Sequence, residues 1–269
     1  MNIALPYRHQ RKPRRILGLD YGSPFMRGLV AAVPMTEAAG APVEYVRQQV
    51  ADLNAAWSNS LYGPSILTAN GVGVGSLSFG DLTAYDTATD MTAVCLLNVL
   101  AWSTGTSGDF PWSKNAFQTR GWMLLNNGVF GDQVGFRQDR SGTSDYVTAS
   151  RATVGTGFML FVGRRTGLTI DFLTVKDGEL TQHASSTNTL PPTPAGAELN
   201  ISISDANGTV QVLSSWLWNY ALPDAALREL YASPYQMFRT VQRTSFHVPA
   251  APSTTIPRMM HHLRQQGIA

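Results

Sequence analysis

The stretch that decides the fold runs Leu168-Thr169-Ile170-Asp171-Phe172-Leu173-Thr174-Val175 and then Lys176-Asp177-Gly178, with Glu179 opening the next run. β-Branched and aromatic residues suit a pleated, half-buried surface, and Asp-Gly supplies the positive φ angles that a two-residue hairpin loop demands. Two antiparallel strands joined by a tight turn are therefore predicted. Outward from this hairpin, short apolar or alternating runs recur between turn residues: Leu29 to Val33, Val72 to Phe79, Met91 to Leu100, Trp122 to Leu125, Phe158 to Val162, Leu199 to Ile203 and Val210 to Trp218. Many short strands at such spacing predict an all-β, antiparallel β-sandwich. Asn207-Gly208 predicts a second pair of antiparallel neighbours. Trp216 and Trp218 are expected to straddle the sheet or to cover one end of the core.

One helix is expected inside the body. Pro223 sits at a first-turn position, Asp224 adds favourable negative charge there, and Leu227, Leu230 and Tyr231 recur at three and four residues. Residues 1–24 read as an extended arm, because Pro6, Pro13 and Pro24 interrupt any regular element. Residues 25–238 read as the sandwich. Residues 239–269 read as a second arm, with a Pro/Ala/Ser/Thr linker followed by a short helix that carries Ile256, Met259, Met260 and Leu263 on one stripe. A helix of that length is marginal alone, so its apolar face needs cover from the body or from a partner.

The charge is distributed unevenly. Arg8, Arg11, Lys12, Arg14 and Arg15 precede Ile16, and four arginines follow Glu229, with no acid in either group. That leaves 11 basic residues among all 18 acidic ones between them, so an acidic body carries basic ends. No run of about 18 apolar residues is present, and the first residues pass into basic ones without an apolar signal core, which predicts a chain made in the cytosol and not spanning a membrane.

Few patterns carry chemistry. Neither a nucleophile elbow nor a phosphate-cradling loop occurs, and Gly71-Val72-Gly73-Val74-Gly75 reads as a glycine-relieved turn or bulge. The histidines are scattered or adjacent, and Cys95 is alone in an apolar run, so no metal cluster, disulfide or cofactor is expected. Asp205-Ala206-Asn207-Gly208 offers oxygens for calcium but lacks the rest of a calcium loop. Asp171, Asp177 and Glu179 read as solvated acids around a turn, not as a hydrolytic pair, and no enzyme is predicted. Trp57, Trp102, Trp112 and Trp122 stand among Asn, Asp and Ser, where indoles could stack on a sugar; packing in the core is the competing fate.

The segment from Ser215 to Phe238, with Asn219-Tyr220-Ala221-Leu222 ahead of the helix and Leu230-Tyr231-Ala232-Ser233-Pro234-Tyr235-Gln236-Met237-Phe238 running from its last turn onward, resembles the close of laminin-G-like (concanavalin A-like) jelly-roll domains of tailed bacteriophages. Gly18-Leu19-Asp20-Tyr21-Gly22-Ser23-Pro24 and Arg27-Gly28-Leu29-Val30 are similar to the opening of the same proteins. The resemblance implies a virion component. It would be a homo-oligomeric capsid decoration, vertex or head-fibre protein, held to other capsid or tail proteins by its arms and made in the host cytoplasm. The alternative is a module of a tail fibre or spike that binds a cell-surface glycan or receptor. Direct nucleic-acid binding is the weaker expectation, since the basic charge is split between two ends of an acidic body.

Overall fold

The computed structural model describes residues 13, 16–36, 41–54, 56–60, 63–67, 75–86, 89–102, 109–116, 120–127, 132–141, 143–187, 189–203 and 210–240. In chain order the strands are β1 (Ile16–Leu19), β2 (Leu29–Val33), β3 (Val43–Glu44), β4 (Gln49–Val50), β5 (Asp52–Asn54), β6 (Ala56–Ser60), β7 (Gly63–Leu67), β8 (Gly75–Ser78) and β9 (Met91–Val99). They continue as β10 (Asp109–Ala116), β11 (Arg120–Asn127), β12 (Gln133–Arg140), β13 (Thr143–Ser150), β14 (Gly157–Thr166), β15 (Thr169–Lys176), β16 (Glu179–Ser186), β17 (Leu199–Ile203), β18 (Val210–Trp218) and β19 (Phe238–Thr240). Two α-helices are described, α1 (Arg151–Val154) and α2 (Asp224–Ala232).

Two antiparallel sheets face each other as a jelly-roll-type β-sandwich. One is ordered β13-β12-β11-β10-β17-β8-β5, and the other β16-β15-β14-β9-β18-β7-β6, with β2 also paired to β18. The inner faces meet in a core that includes Cys95, Leu97, Phe161 and Phe172 from one sheet and Trp112, Trp122, Leu124 and Phe136 from the other. Cys95 is completely buried, and burial pushes its thiol up to about 12.

The β15–β16 hairpin is the one predicted: Lys176 pairs with Glu179, and Asp177 and Gly178 take φ of 54° and 84°. Asn207-Gly208 lies outside the described residues, but the strands on either side of it are not neighbours. β17 belongs to one sheet and β18 to the other, so the connection crosses the sandwich.

The β14-β9-β18 region is buried on both sides. Its outer face carries Val94, Leu96, Leu160, Val162 and Trp216, with Leu173 of the adjacent β15, into a second apolar cluster, covered by Phe25, Leu227, Leu230, Tyr231 and Phe238. Trp216 and Trp218 therefore do not straddle the sheet. Two residues apart on one strand, they share the outer face, while Leu217 points into the inner core.

Residues ahead of Phe25 join this layer. β1 pairs antiparallel with β19, Ile16 opposite Thr240 and Leu19 opposite Phe238, and Ile16 and Leu19 are buried. The fold thus begins at least as early as Ile16, inside the stretch whose prolines suggested an arm. Helix α2 forms where predicted, with Pro223 as its cap and Asp224 in its first turn. Asp224 holds Arg164 of β14 at 2.6 Å, which fixes the start of the helix to the sheet.

Candidate binding site

The opening segment and the segment leading into α2 pack against each other and leave a groove of about 540 Å³ between them. Ser23 begins a single turn of 3₁₀ helix, Pro24–Met26, by accepting a hydrogen bond from the Phe25 amide. Phe25 points inward and meets Trp218 edge to face at 6.4 Å, while the Trp218 indole N–H donates to the Phe25 carbonyl at 2.9 Å. Gly28 explains the close approach of the chains. Its φ is +64°, and a Cβ there would lie 2.4 Å from Asn219 Oδ1 and 2.7 Å from the Tyr220 ring. Across the groove, Thr92 donates to the Tyr220 carbonyl and accepts from the Leu222 amide, which pins that wall to β9.

The surface so built is aromatic with a few polar groups. Tyr21 stands at the lip, 76% exposed, on a turn in which the Asp20 carboxylate accepts from the Gly22 amide. Tyr220 is partly buried, and burial raises its hydroxyl above the ordinary tyrosine value, against the lowering pull of the Arg27 charge. Arg27, Ser23 and Glu229 add donors and acceptors around Met26, Leu222, Pro223 and Ala226. A concave, largely preformed surface of this size, with a few convergent polar groups, is the usual form of a ligand site.

The tryptophans fall elsewhere. Trp112 and Trp122 are core residues that meet at 6.1 Å, with their indole N–H groups given to the carbonyls of Trp216 and Tyr85, so neither offers a face for stacking. Trp102 is half-buried, packs on Phe161 and donates to the Gly155 carbonyl. Trp57 sits on β6. Trp112 and Trp122 are thereby taken out of any stacking platform, because β10 and β11 turn both rings into the core. The basic residues Arg8, Arg11, Lys12, Arg14 and Arg15, the stripe Ile256, Met259, Met260 and Leu263, and the oxygens of 205–208 lie outside the described residues.

Buried acids are committed to structure. Glu44 accepts from the amides of Ala32, Val46 and Arg47 and from the Tyr85 hydroxyl; burial raises its pKa against those bonds. Asp139 pairs with Arg137 at 2.8 Å. Asp171 is not a solvated turn acid: it is buried, paired with Arg164 at 3.3 Å and bonded by Ser185, because its side chain turns onto the sheet and not toward the Asp177 turn. Among the described residues there is no cluster of three or more His, Cys, Asp or Glu able to hold a metal ion, and no helix is long and apolar enough to cross a membrane.

No protein-family model and no curated protein sequence matches the chain. Solved structures do. The binding domain of Paraclostridial Mosquitocidal Protein 1 matches with a TM-score of 0.59 at 11% identity, over 78% of this chain and 53% of that one. The botulinum neurotoxin serotype D binding domain gives 0.57 at 11% identity, over 78% and 51%. That of botulinum neurotoxin DC, solved in complex with SialylT, gives 0.55 at 8% identity, over 77% and 51%. The chain thus spans about half the length of these structures. The likeness is one of fold, and the fold is a β-sandwich found in binding domains.

Proposed function

We propose that this chain is a non-catalytic recognition module that holds a saccharide of a cell surface in the groove between the opening segment and α2. The observation that carries this reading is the exposed Tyr21 ring, set beside Tyr220, Arg27, Ser23 and Glu229 in one concavity. A pyranose offers an apolar face to such rings and hydroxyls to such polar groups. The use of like-folded domains as binding modules, one solved with SialylT, is in keeping with it. Trp218 lies directly beneath Phe25, so ligand binding should change tryptophan emission. The test is a glycan panel read by that emission. A saturable change for at least one glycan, weakened at least about tenfold by Tyr21→Ala with unchanged circular dichroism, is expected. A flat panel, with a protein receptor captured instead and that capture lost in Tyr21→Ala, would replace the saccharide by a protein ligand.

A narrower reading concerns where the module works. The similarity of residues 18–30 and 215–238 to tailed-phage jelly rolls supports a virion component, held to a capsid or tail by the basic segments that flank the β1–β19 pair. One structural observation favours it: β1 and β19 place the departure points of both basic segments side by side, at Ile16 and Thr240, as a single attachment would need. Removing residues 1–15 and 241–269 should then leave a folded body that fails to join particles. Unchanged incorporation would end this reading while leaving the groove's ligand untouched.

A further inference from the structure

Lys114, on β10, is wholly buried at one end of the sandwich, and its ammonium is surrounded by oxygen. Asp81 Oδ1 lies at 2.5 Å, the Ala197 carbonyl at 2.7 Å, the Ala195 carbonyl at 3.3 Å and Asp86 Oδ1 at 3.5 Å. An ammonium has three hydrogens and can satisfy three of these acceptors at once. Two carboxylates and two backbone carbonyls are a donor set that hard divalent cations choose. The donors come from two loops far apart in sequence, and Asp86 also accepts from the Ala195 amide at 3.2 Å, so the same loops are tied twice. Between them opens a small pocket of about 190 Å³, lined by Asp86, Thr89, Trp122, Pro191, Thr193 and Pro194.

We propose that Lys114 is a built-in cation that fills a metal-type oxygen cage, clamping the 81–86 and 191–197 loops as a bound calcium ion would and fixing the small pocket between them. The clamp makes this end of the fold indifferent to divalent cations. Vacating the cage turns it into a calcium site. Asp81, 46% exposed on its side chain, leaves one side open for the waters that complete calcium's shell.

The test uses thermal unfolding of the full chain, with and without calcium. Wild type should melt within about 1 °C of the same temperature in chelator and in about 10 mM calcium, since Lys114 already fills the cage. Lys114→Ala leaves two carboxylates facing each other beside the core and should lose about 10 °C. Calcium at about 10 mM should return about 4 °C of that, and magnesium less. Terbium gives a direct reading, because Trp122 faces Lys114 across the β10–β11 pair and can sensitise it: luminescence is expected from Lys114→Ala and not from wild type. If Lys114→Ala does not fold, Lys114→Met and the triple variant Lys114→Met/Asp81→Asn/Asp86→Asn decide the matter. The triple should regain at least about half the temperature lost by the single variant. A wild type weakened by chelator, a Lys114→Ala that keeps its stability or ignores calcium and terbium, or a triple no better than Lys114→Met would each overturn the proposal.

Discussion

The outer faces of the two sheets are built on opposite plans. On the β14-β9-β18 side, the outward residues are Val94, Leu96, Leu160, Val162, Trp216 and Trp218, and they are roofed by the opening segment, α2 and β19. On the β10–β13 side, the outward residues of β12 include Arg137 and Asp139, held with Asn115 and Ser144 in a flat polar network, with Tyr146 half-exposed beside it. A sheet covered on both faces reads as continuous apolar runs, whereas one with a polar outer face alternates. Met91 to Val99 and Phe158 to Val162 are of the first kind; β12 departs from it, with the buried polar residues Arg137, Gln138 and Asp139 following Phe136. The difference teaches that residues 16–29 and 222–238 supply a third layer of the fold, and that the polar face is stabilised by pairing within the sheet.

The largest effect should come from opening the roofed face. Trp218→Ala removes a buried indole and its bond to Phe25 and should cost about 3–5 kcal/mol in urea unfolding; a loss below about 1 kcal/mol would make the roof an ornament on an independent sandwich. On the polar face, Asp139→Ala takes the paired carboxylate away from the buried Arg137 guanidinium and should cost about 3 kcal/mol, while Arg137→Met/Asp139→Leu together should cost much less. If the double variant is as damaged as the single, pairing is not what stabilises this face.

A smaller effect sits at the edge strand. His183 stacks on Phe172 at 5.3 Å and shares a hydrogen bond with Thr174, and burial lowers its pKa below 6.5. The folded state therefore prefers the neutral ring. Its contribution is present above pH 6.5 and is lost as pH falls through the lowered value, so the melting temperature should fall on acidification, and less so in His183→Gln. The smallest signal is a rate. Cys95 lies in the core shared by both sheets, and thiol reagents should label it only as fast as the sandwich opens. Labelling accelerated by Trp218→Ala would show that the roof and the interior open together.

Much of the fold is legible in the sequence. The runs predict strands because β-branched and aromatic residues dominate them, the Asp177-Gly178 turn follows from positive φ, and α2 follows from Pro223, Asp224 and its three-and-four spacing. β1 is not legible: four residues with no period become a strand only through a partner more than 200 positions away. The groove is half legible. Tyr21, Arg27 and Tyr220 fall inside the stretches that resemble the ends of jelly-roll domains, yet no local pattern tells which ring remains outside once Gly28 lets the two segments meet. Lys114 sits in the short polar run Ser113-Lys114-Asn115 after Trp112, and its four acceptors are scattered over more than 100 positions, so spacing has nothing to reveal.

The pairing of Ile16 with Thr240 has a mechanical side. Tension that separates the chain before Ile16 from the chain after Thr240 loads the rungs one at a time from their open end, the direction in which a backbone ladder yields most easily. Tension that draws both segments the same way bypasses the rungs and is borne by the whole body. A domain tethered by both ends to a single support would then be strong under drag, and would come undone only if its two tethers were drawn to different places.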